Sequence, residues 1–197
     1  MADVRAERGL SLDTGFLMQP QPPSRPDFIE LLAGREPHWE QYKFIKGNPV
    51  GQLPSLQNLR YYAPRQGQPS KSITDLWIRL TAGGKFTNSS LGYVIDCLPY
   101  PVEAYRPTEE GEEGAPFAID KFFWYPTLVM NLDLKKALPE DGVEWLQLRI
   151  QSKQIRNGRF DLEVLVMDAE GDLVALGHHV NMIVGLEQNM AGRKSHI

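Results

Sequence analysis

The apolar positions of residues 86–99 recur at the spacing of an α-helix and form one face, made of Leu91, Val94, Ile95 and Leu98. Thr87 suits the start of this helix because its hydroxyl can accept a hydrogen bond from a free backbone N–H, and Pro99 ends it because proline interrupts helical hydrogen bonding. The opposite side carries one charged side chain, Asp96. A helix that is apolar nearly all round is typical of a protein interior, so the pattern predicts a buried central helix that holds a single carboxylate.

Segments rich in aromatic and β-branched residues predict six strands. Two lie before the helix and four after it, at residues 56–64, 73–81, 123–136, 143–155, 159–167 and 173–184. Asn157-Gly158 predicts a type I′ turn between two of them, because both residues tolerate positive φ. The acidic stretch 106–116 predicts a solvated loop after the helix.

The order of two strands, one buried helix and four antiparallel strands predicts the α+β class. An antiparallel sheet can cover such a helix by curling around it. We therefore expect a hotdog fold, a curled antiparallel sheet wrapped around a central helix, over residues 56–190. Residues 1–55 are expected to form a proline-rich linker with a short helix from Ser24 to Gly34, and residues 191–197 a tail.

Alternation within two of the predicted strands groups the polar side chains by face. Thr127 shares a face of the strand 123–136 with Val129 and Asn131. His179 lies on a small-residue face of the last strand, and such a face can border a ligand. The other members of this face are Ala175, Gly177 and Asn181.

Composition and charge narrow the class of protein. Of 197 residues, 42% are hydrophobic, which is enough for the core of one domain, and the net charge of −4 argues against nucleic acid as the main partner. The one cysteine, Cys97, allows no disulfide within the chain and no cysteine metal site, which fits a reducing compartment. The first eight residues show no secretory signal, and no apolar run approaches the roughly 20 residues that span a bilayer. We therefore expect a cytoplasmic protein that needs no metal ion or cofactor. The last four residues, 194–197, weakly resemble a peroxisomal address.

Four segments resemble the second half of acyl-CoA thioesterase II-like proteins, namely FTNSSLGYVIDCLP, WYPTLVMNLDLKKALP, EWLQLRIQSKQIRNGRFDLEVLVMDAEGDLVAL and GHHVNMIV. The resemblance covers about residues 10–192. Proteins of this family usually carry two hotdog repeats in one polypeptide, so the resemblance implies that residues 1–55 correspond to the connection between repeats. It also implies that the far side of the central helix lacks the cover of a first repeat. We therefore expect a homodimer, in which a second copy supplies that cover.

The resemblance implies a site in which three side chains hold an attacking water: a helix Asp, a strand Thr and a Gln on the last strand. By position these fall on Asp96, Thr127 and His179, so this chain departs from the family at the third residue. A carboxylate can accept the proton of the water, and an imidazole could replace the Gln as a hydrogen-bonding group or act as a base. The expected activity is hydrolysis of an acyl thioester, either acyl-CoA or a related carrier thioester.

Four further residues are expected to contact the substrate. Gly92 and Tyr93 lie on the far side of the helix, and Lys135 and Lys136 close one strand and could bind the phosphates of CoA. Two other functions stay open. One is a hotdog dehydratase or hydratase that uses His179 with Asp96 as an acid–base pair, and the other is a non-catalytic acyl-binding domain that kept only the fold.

Overall fold

The computed structural model describes residues 10–44 and 50–186. Within these residues three short α-helices occur: α1 (Phe28–Leu32), α2 (Pro54–Gln57) and α3 (Leu91–Asp96). Short 3-10 segments lie at Val50–Gln52, Asn88–Ser90 and Pro101–Tyr105. The ten strands of the described part are β1 (Trp39–Gln41), β2 (Leu59–Pro64), β3 (Ile73–Leu80), β4 (Phe123–Trp124), β5 (Thr127–Leu134), β6 (Leu146–Gln151), β7 (Ile155–Arg156), β8 (Arg159–Met167), β9 (Leu173–Met182) and β10 (Val184–Gly185). Within the described residues, no helix is long or apolar enough to cross a bilayer.

Eight of the strands form one antiparallel sheet in the order β1-β2-β3-β6-β8-β9-β5, with β7 paired to the end of β8. The strands β4 and β10 pair separately beside it. The inner face of the large sheet packs around α3, and the two together enclose the main hydrophobic core. This arrangement confirms the expected α+β hotdog fold.

The apolar face of α3 lies against the sheet as its spacing predicts, with Leu91, Val94 and Ile95 fully buried. Strand β9 passes directly beneath the helix at Gly177. A Cβ atom at residue 177 would lie 3.2 Å from Cδ1 of Ile95 and 3.3 Å from Cβ of Val164, so a glycine lets the helix approach this closely. The close approach places the following inward-facing residues of β9 near the end of α3, where Asp96 lies.

Several predicted elements differ in extent. The helix expected over 86–99 consists of a 3-10 turn followed by only six α-helical residues, and its start is held by the backbone N–H of Thr87, which donates to Ser90 Oγ at 3.0 Å. The strand expected from residue 56 begins at Leu59, because Pro54 starts a short helix instead. The turn at Asn157-Gly158 is confirmed, with positive φ values of 52° and 68°.

The outer face of the sheet is also covered. Residues 16–25, expected as part of the linker, lie against it, and the carbonyl of Pro20 accepts a hydrogen bond from Arg149 Nη2 at 2.6 Å. The same guanidinium forms a buried bidentate pair with Asp75, at 2.7 and 2.8 Å. Around this pair a second apolar cluster forms, made of Leu31, Trp39, Tyr62, Trp77 and Trp145.

Strand β5 is an edge strand of the large sheet and carries unusually exposed apolar side chains. Leu128 and Val129 are 56% and 58% exposed, and Met130 is 44% exposed. The side of α3 that faces away from the sheet is likewise uncovered by the described residues: Gly92 and Tyr93 are half-buried and Asp96 is exposed. Exposed apolar side chains on an edge strand are typical of an association site.

Candidate active site

The end of α3 and the start of β5 bring Asp96 and Thr127 into contact. Thr127 Oγ1 donates a hydrogen bond to Asp96 Oδ1 at 3.3 Å. The expectation that the carboxylate is buried is wrong for the single chain, because α3 buries only one face and Asp96 projects from the other. The pair therefore lies at the surface, where a water molecule and a substrate can both reach it.

A β-bulge sets the direction in which Thr127 points. The register of β5 against β9 shifts between Thr127 and Val129, so that Thr127 pairs with Asn181 and Met130 pairs with His179. Because the inserted residue, Leu128, breaks the alternation, Thr127 shares the inner face with Met130. The predicted grouping of Thr127 with Val129 and Asn131 is therefore wrong, although the grouping of His179 with Asn181 is confirmed.

Asn181 completes a hydrogen-bond chain that sequence reasoning missed. Its Nδ2 donates to Thr127 Oγ1 at 3.0 Å, and its side chain is fully buried. Its Oδ1 has no hydrogen-bond partner among the described residues. The alternation of the last strand predicts that Asn181 lies on its ligand-facing side. Its position opposite Thr127 depends on the register between β5 and β9, and the bulge that sets this register leaves no signal in the sequence.

His179 lies on the same inner face and is 3% exposed. Burial lowers the pKa of its imidazole, and the neighbouring charge of His178 lowers it further, while the negative charge of Asp96 acts in the opposite direction. The ring is therefore neutral at pH 7. Neither ring nitrogen has a hydrogen-bond partner in the part of the chain that is described, so the structure brings His179 near Asp96 without a direct bond to it.

Tyr100 is a second residue that sequence reasoning missed. Its hydroxyl lies beside Thr127, and burial together with the charge of Asp96 raises the pKa of Tyr100 to about 12. The ring packs 4.7 Å from the ring of Tyr125 and 5.9 Å from that of Phe160. Beyond this aromatic wall lies a cavity of about 520 Å³ whose lining includes Phe117, Phe123, Ile155, Ile183 and the exposed Arg156.

The four expected substrate contacts are not all brought to this site. Apart from its chain neighbours and the backbone of its own helix, no atom of the described residues comes within 4 Å of where a Cβ of Gly92 would lie, so the helix surface is open there. The hydroxyl of Tyr93 donates to the carbonyl of Ser55, and burial raises its pKa to about 12.

The two lysines lie just beyond the opposite end of β5 from Thr127. Lys135 pairs with Asp133 at 2.6 Å, and Lys136 bridges Asp168 and Asp172 at 2.6 and 2.7 Å. These hydrogen bonds to two carboxylates raise the pKa of Lys136. A contact between either lysine and a substrate phosphate stays a prediction.

Comparison with known proteins gives consistent matches. The family model for the acyl-CoA thioesterase C-terminal domain matches residues 22–183. The thioesterase-like protein TwmA of Talaromyces wortmannii is 39% identical over 213 residues, which cover 98% of this chain and 61% of that protein. Among solved structures, a conserved hot-dog-fold protein of unknown function from Alicyclobacillus acidocaldarius has a TM-score of 0.58 at 16% identity, over 89% of this chain and 58% of that one.

A protein of Thermobifida fusca YX, described as a candidate thioesterase II, has a TM-score of 0.56 at 19% identity over 92% of this chain and 58% of its own. At these identities the two structures show the fold alone. The chain spans about three fifths of the length of each of these relatives.

Proposed function

Because this chain belongs to the acyl-CoA thioesterase C-terminal domain family of thioesterase-like hotdog proteins, we propose that it hydrolyses acyl thioesters. The observation that carries this proposal is the contact between Thr127 Oγ1 and Asp96 Oδ1 at the exposed end of the central helix. A carboxylate and a hydroxyl at this distance can share one water molecule, the carboxylate as proton acceptor and the hydroxyl as an orienting group.

In the proposed reaction a water molecule held between Asp96 and Thr127 attacks the carbonyl carbon of the thioester. Asp96 accepts the proton of the water as the new C–O bond forms. The tetrahedral intermediate then collapses, the C–S bond breaks, and the thiolate leaves and takes up a proton. The products are a free carboxylic acid and a thiol, and no cofactor enters the step.

We assign His179 a supporting role in this reaction. Its buried ring is neutral, so one nitrogen can donate a hydrogen bond to the water or the thioester carbonyl, and the other can accept one from the water. Neither ring nitrogen has a hydrogen-bond partner among the described residues, and because both are buried, this contact requires the ring or its cover to move.

The cavity behind the aromatic wall is the proposed position of the acyl group. Its volume of about 520 Å³ falls within the usual range of small-molecule pockets, about 300–1,000 Å³, and its lining is mainly aromatic and aliphatic. Ile183 of its lining lies just after the end of β9, two residues beyond Asn181, so the two Cα atoms are at most about 7 Å apart. An acyl chain whose carbonyl lies at Thr127 would therefore reach the cavity after a few methylene groups.

We further propose that the chain acts as a homodimer through β5. Strand β5 has a free edge, and its Leu128, Val129 and Met130 are exposed. Pairing of this edge with the same edge of a second copy would give partners to the unpaired backbone groups of β5 and would also cover the open side of α3. Light scattering at micromolar concentration should give twice the chain mass of 22.3 kDa. Met130→Pro should give the monomer mass, because the N–H groups of alternate residues of β5 face β9 and that of Met130 faces the free edge. A wild-type protein that is already monomeric contradicts the proposal.

The activity is tested by the release of free CoA from octanoyl-CoA. Wild-type protein should turn over, Asp96→Asn should abolish turnover, and Thr127→Ala should reduce it. Asp141→Asn is the matched control, because Asp141 is 78% exposed and pairs with Lys85 on the surface. Turnover that survives Asp96→Asn contradicts the mechanism. Hydration of an enoyl-CoA without thiol release would favour the dehydratase alternative, and acyl binding without turnover would favour the non-catalytic one.

A further inference from the structure

We propose that Asn181 is a positioning residue that directs the hydroxyl of Thr127 toward Asp96; this inference rests on the proposed hydrolysis. Asn181 is 0% exposed and lies directly opposite Thr127 across the β5–β9 pair. Its Nδ2 donates to Thr127 Oγ1 at 3.0 Å, and the same Oγ1 donates to Asp96 Oδ1 at 3.3 Å. The three side chains form one chain of hydrogen bonds that runs from the interior of the sheet to the exposed end of α3.

The direction of each bond in this chain follows from the chemistry of the groups. An ionised carboxylate only accepts, so Asp96 needs the single hydrogen of the Thr127 hydroxyl. The hydroxyl oxygen must then accept from Asn181, which fixes the amide with Nδ2 toward Thr127. With the amide reversed, Oδ1 would compete for that one hydrogen and Asp96 would lose it. Asn181 thus ensures that the hydrogen of Thr127 points toward the carboxylate of Asp96.

The cost of burying this amide supports a role beyond folding. Asn181 Oδ1 is buried without a partner among the described residues, and an unpaired buried oxygen destabilises a folded protein. An apolar residue of similar size would fill the same space without that penalty. The bulge after Thr127 disrupts the strand pairing as well, and its effect is to turn Thr127 toward Asn181. Two locally unfavourable features therefore serve the same contact.

A double-mutant cycle separates positioning from a merely structural role. Asn181→Leu, Thr127→Val and the double variant are compared for kcat and KM with octanoyl-CoA. We expect Asn181→Leu to lower kcat about tenfold, the effect of one ordinary hydrogen bond, with KM within about twofold of the wild type. In the Thr127→Val background the same substitution should change kcat less than about twofold, because Asn181 acts through Thr127. A loss of equal size in both backgrounds, or no loss in either, overturns the proposal.

Asn181→Asp adds a test in which the shape is kept and the donor becomes an acceptor. A carboxylate at this position competes with Asp96 for the hydrogen of Thr127, so kcat should fall further than with leucine. Activity equal to that of the wild type would overturn the proposal.

The side-chain amide signals of Asn181, measured by ¹⁵N–¹H NMR and assigned by their loss in Asn181→Leu, give a readout without activity. They should shift in Thr127→Val, and signals that do not move overturn the proposal. Failure of the wild type to hydrolyse any thioester would refute the proposed function instead, and the NMR result would still decide the hydrogen-bond chain.

Discussion

Gly177→Ala should displace α3 and weaken the Thr127–Asp96 contact. The added methyl group would lie 3.2 Å from Cδ1 of Ile95 and 3.3 Å from Cβ atoms of Ile95 and Val164, so these neighbours must move by a few tenths of an ångström. Ile95 immediately precedes Asp96 in the helix. The hydrogen bond between Thr127 and Asp96 is already 3.3 Å long, and the same displacement would lengthen it beyond 3.5 Å.

The expected magnitudes follow from the packing. Overfilling a well-packed core costs about 1–3 kcal/mol, and replacing glycine recovers about 0.4–1 kcal/mol through the unfolded chain. We expect a net loss of about 1–2 kcal/mol in the free energy of unfolding, measured by urea denaturation. A misplacement of about 1 Å can cost 100-fold in rate, so a shift of a few tenths of an ångström should lower kcat by about three- to tenfold.

Two companion variants make this test decisive. Ile95→Val removes the atom closest to the new methyl group, so combining it with Gly177→Ala should restore part of the lost kcat. Gly92→Ala, on the open side of the same helix, has no atom within 4 Å of the new Cβ and should raise stability by up to about 1 kcal/mol. A Gly177→Ala protein with wild-type stability and wild-type kcat would refute the packing argument.

Three further outcomes follow from the structure. Asp75→Asn should lower the free energy of unfolding by about 3–5 kcal/mol in urea titrations, because it leaves the guanidinium of Arg149 buried beside a neutral group. The free energy of unfolding should fall as the pH falls below about 6.5, because the pKa of His179 is lowered in the folded protein and the unfolded chain takes up the proton first. His179→Gln should remove this dependence of stability on pH. Phe117→Ala enlarges the proposed acyl cavity and should raise the kcat/KM ratio of dodecanoyl-CoA to butyryl-CoA by about tenfold.

Matched variants control the first two of these outcomes. Glu144→Gln breaks the pair with Arg79, in which Glu144 is 48% exposed, and should cost no more than about 1 kcal/mol. His178→Gln changes an exposed ring and should leave the pH slope in place. Equal losses for Asp75→Asn and Glu144→Gln, or a pH slope that follows His178, would contradict the respective prediction. For the third outcome, an unchanged chain-length ratio in Phe117→Ala would place the acyl group elsewhere.

The fold was predictable because its signals are local. The periodicity of Leu91, Val94 and Ile95, the turn at Asn157-Gly158 and the alternation of the later strands each depend on a few neighbouring residues. The bounds of the helices and strands were less predictable. Pro54 starts a short helix close to where a strand is expected to begin, and tertiary contacts decide how far each strand pairs.

The site was predictable only in part, because its geometry depends on residues distant in sequence. Asp96 and Thr127 were paired by resemblance, and the structure places them in contact. Asn181 reaches Thr127 through a bulge that shifts the register, and Tyr100 reaches it through the path of the chain after α3. The exposure of Asp96 was missed for a different reason: the pattern of the helix is that of a buried one, and the described chain covers only one side of it.

The cluster on the outer face of the sheet determines what tryptophan fluorescence of this protein can report. Of the four tryptophans in the chain, Trp39, Trp77 and Trp145 lie together there, while Trp124 is 38% exposed on β4. In a Trp124→Phe variant the emission would come from the outer cluster alone. Its red shift in urea would then record when this cluster loses its cover of residues 16–25 and α1, and comparison with far-ultraviolet circular dichroism would show whether that cover separates before the sheet melts.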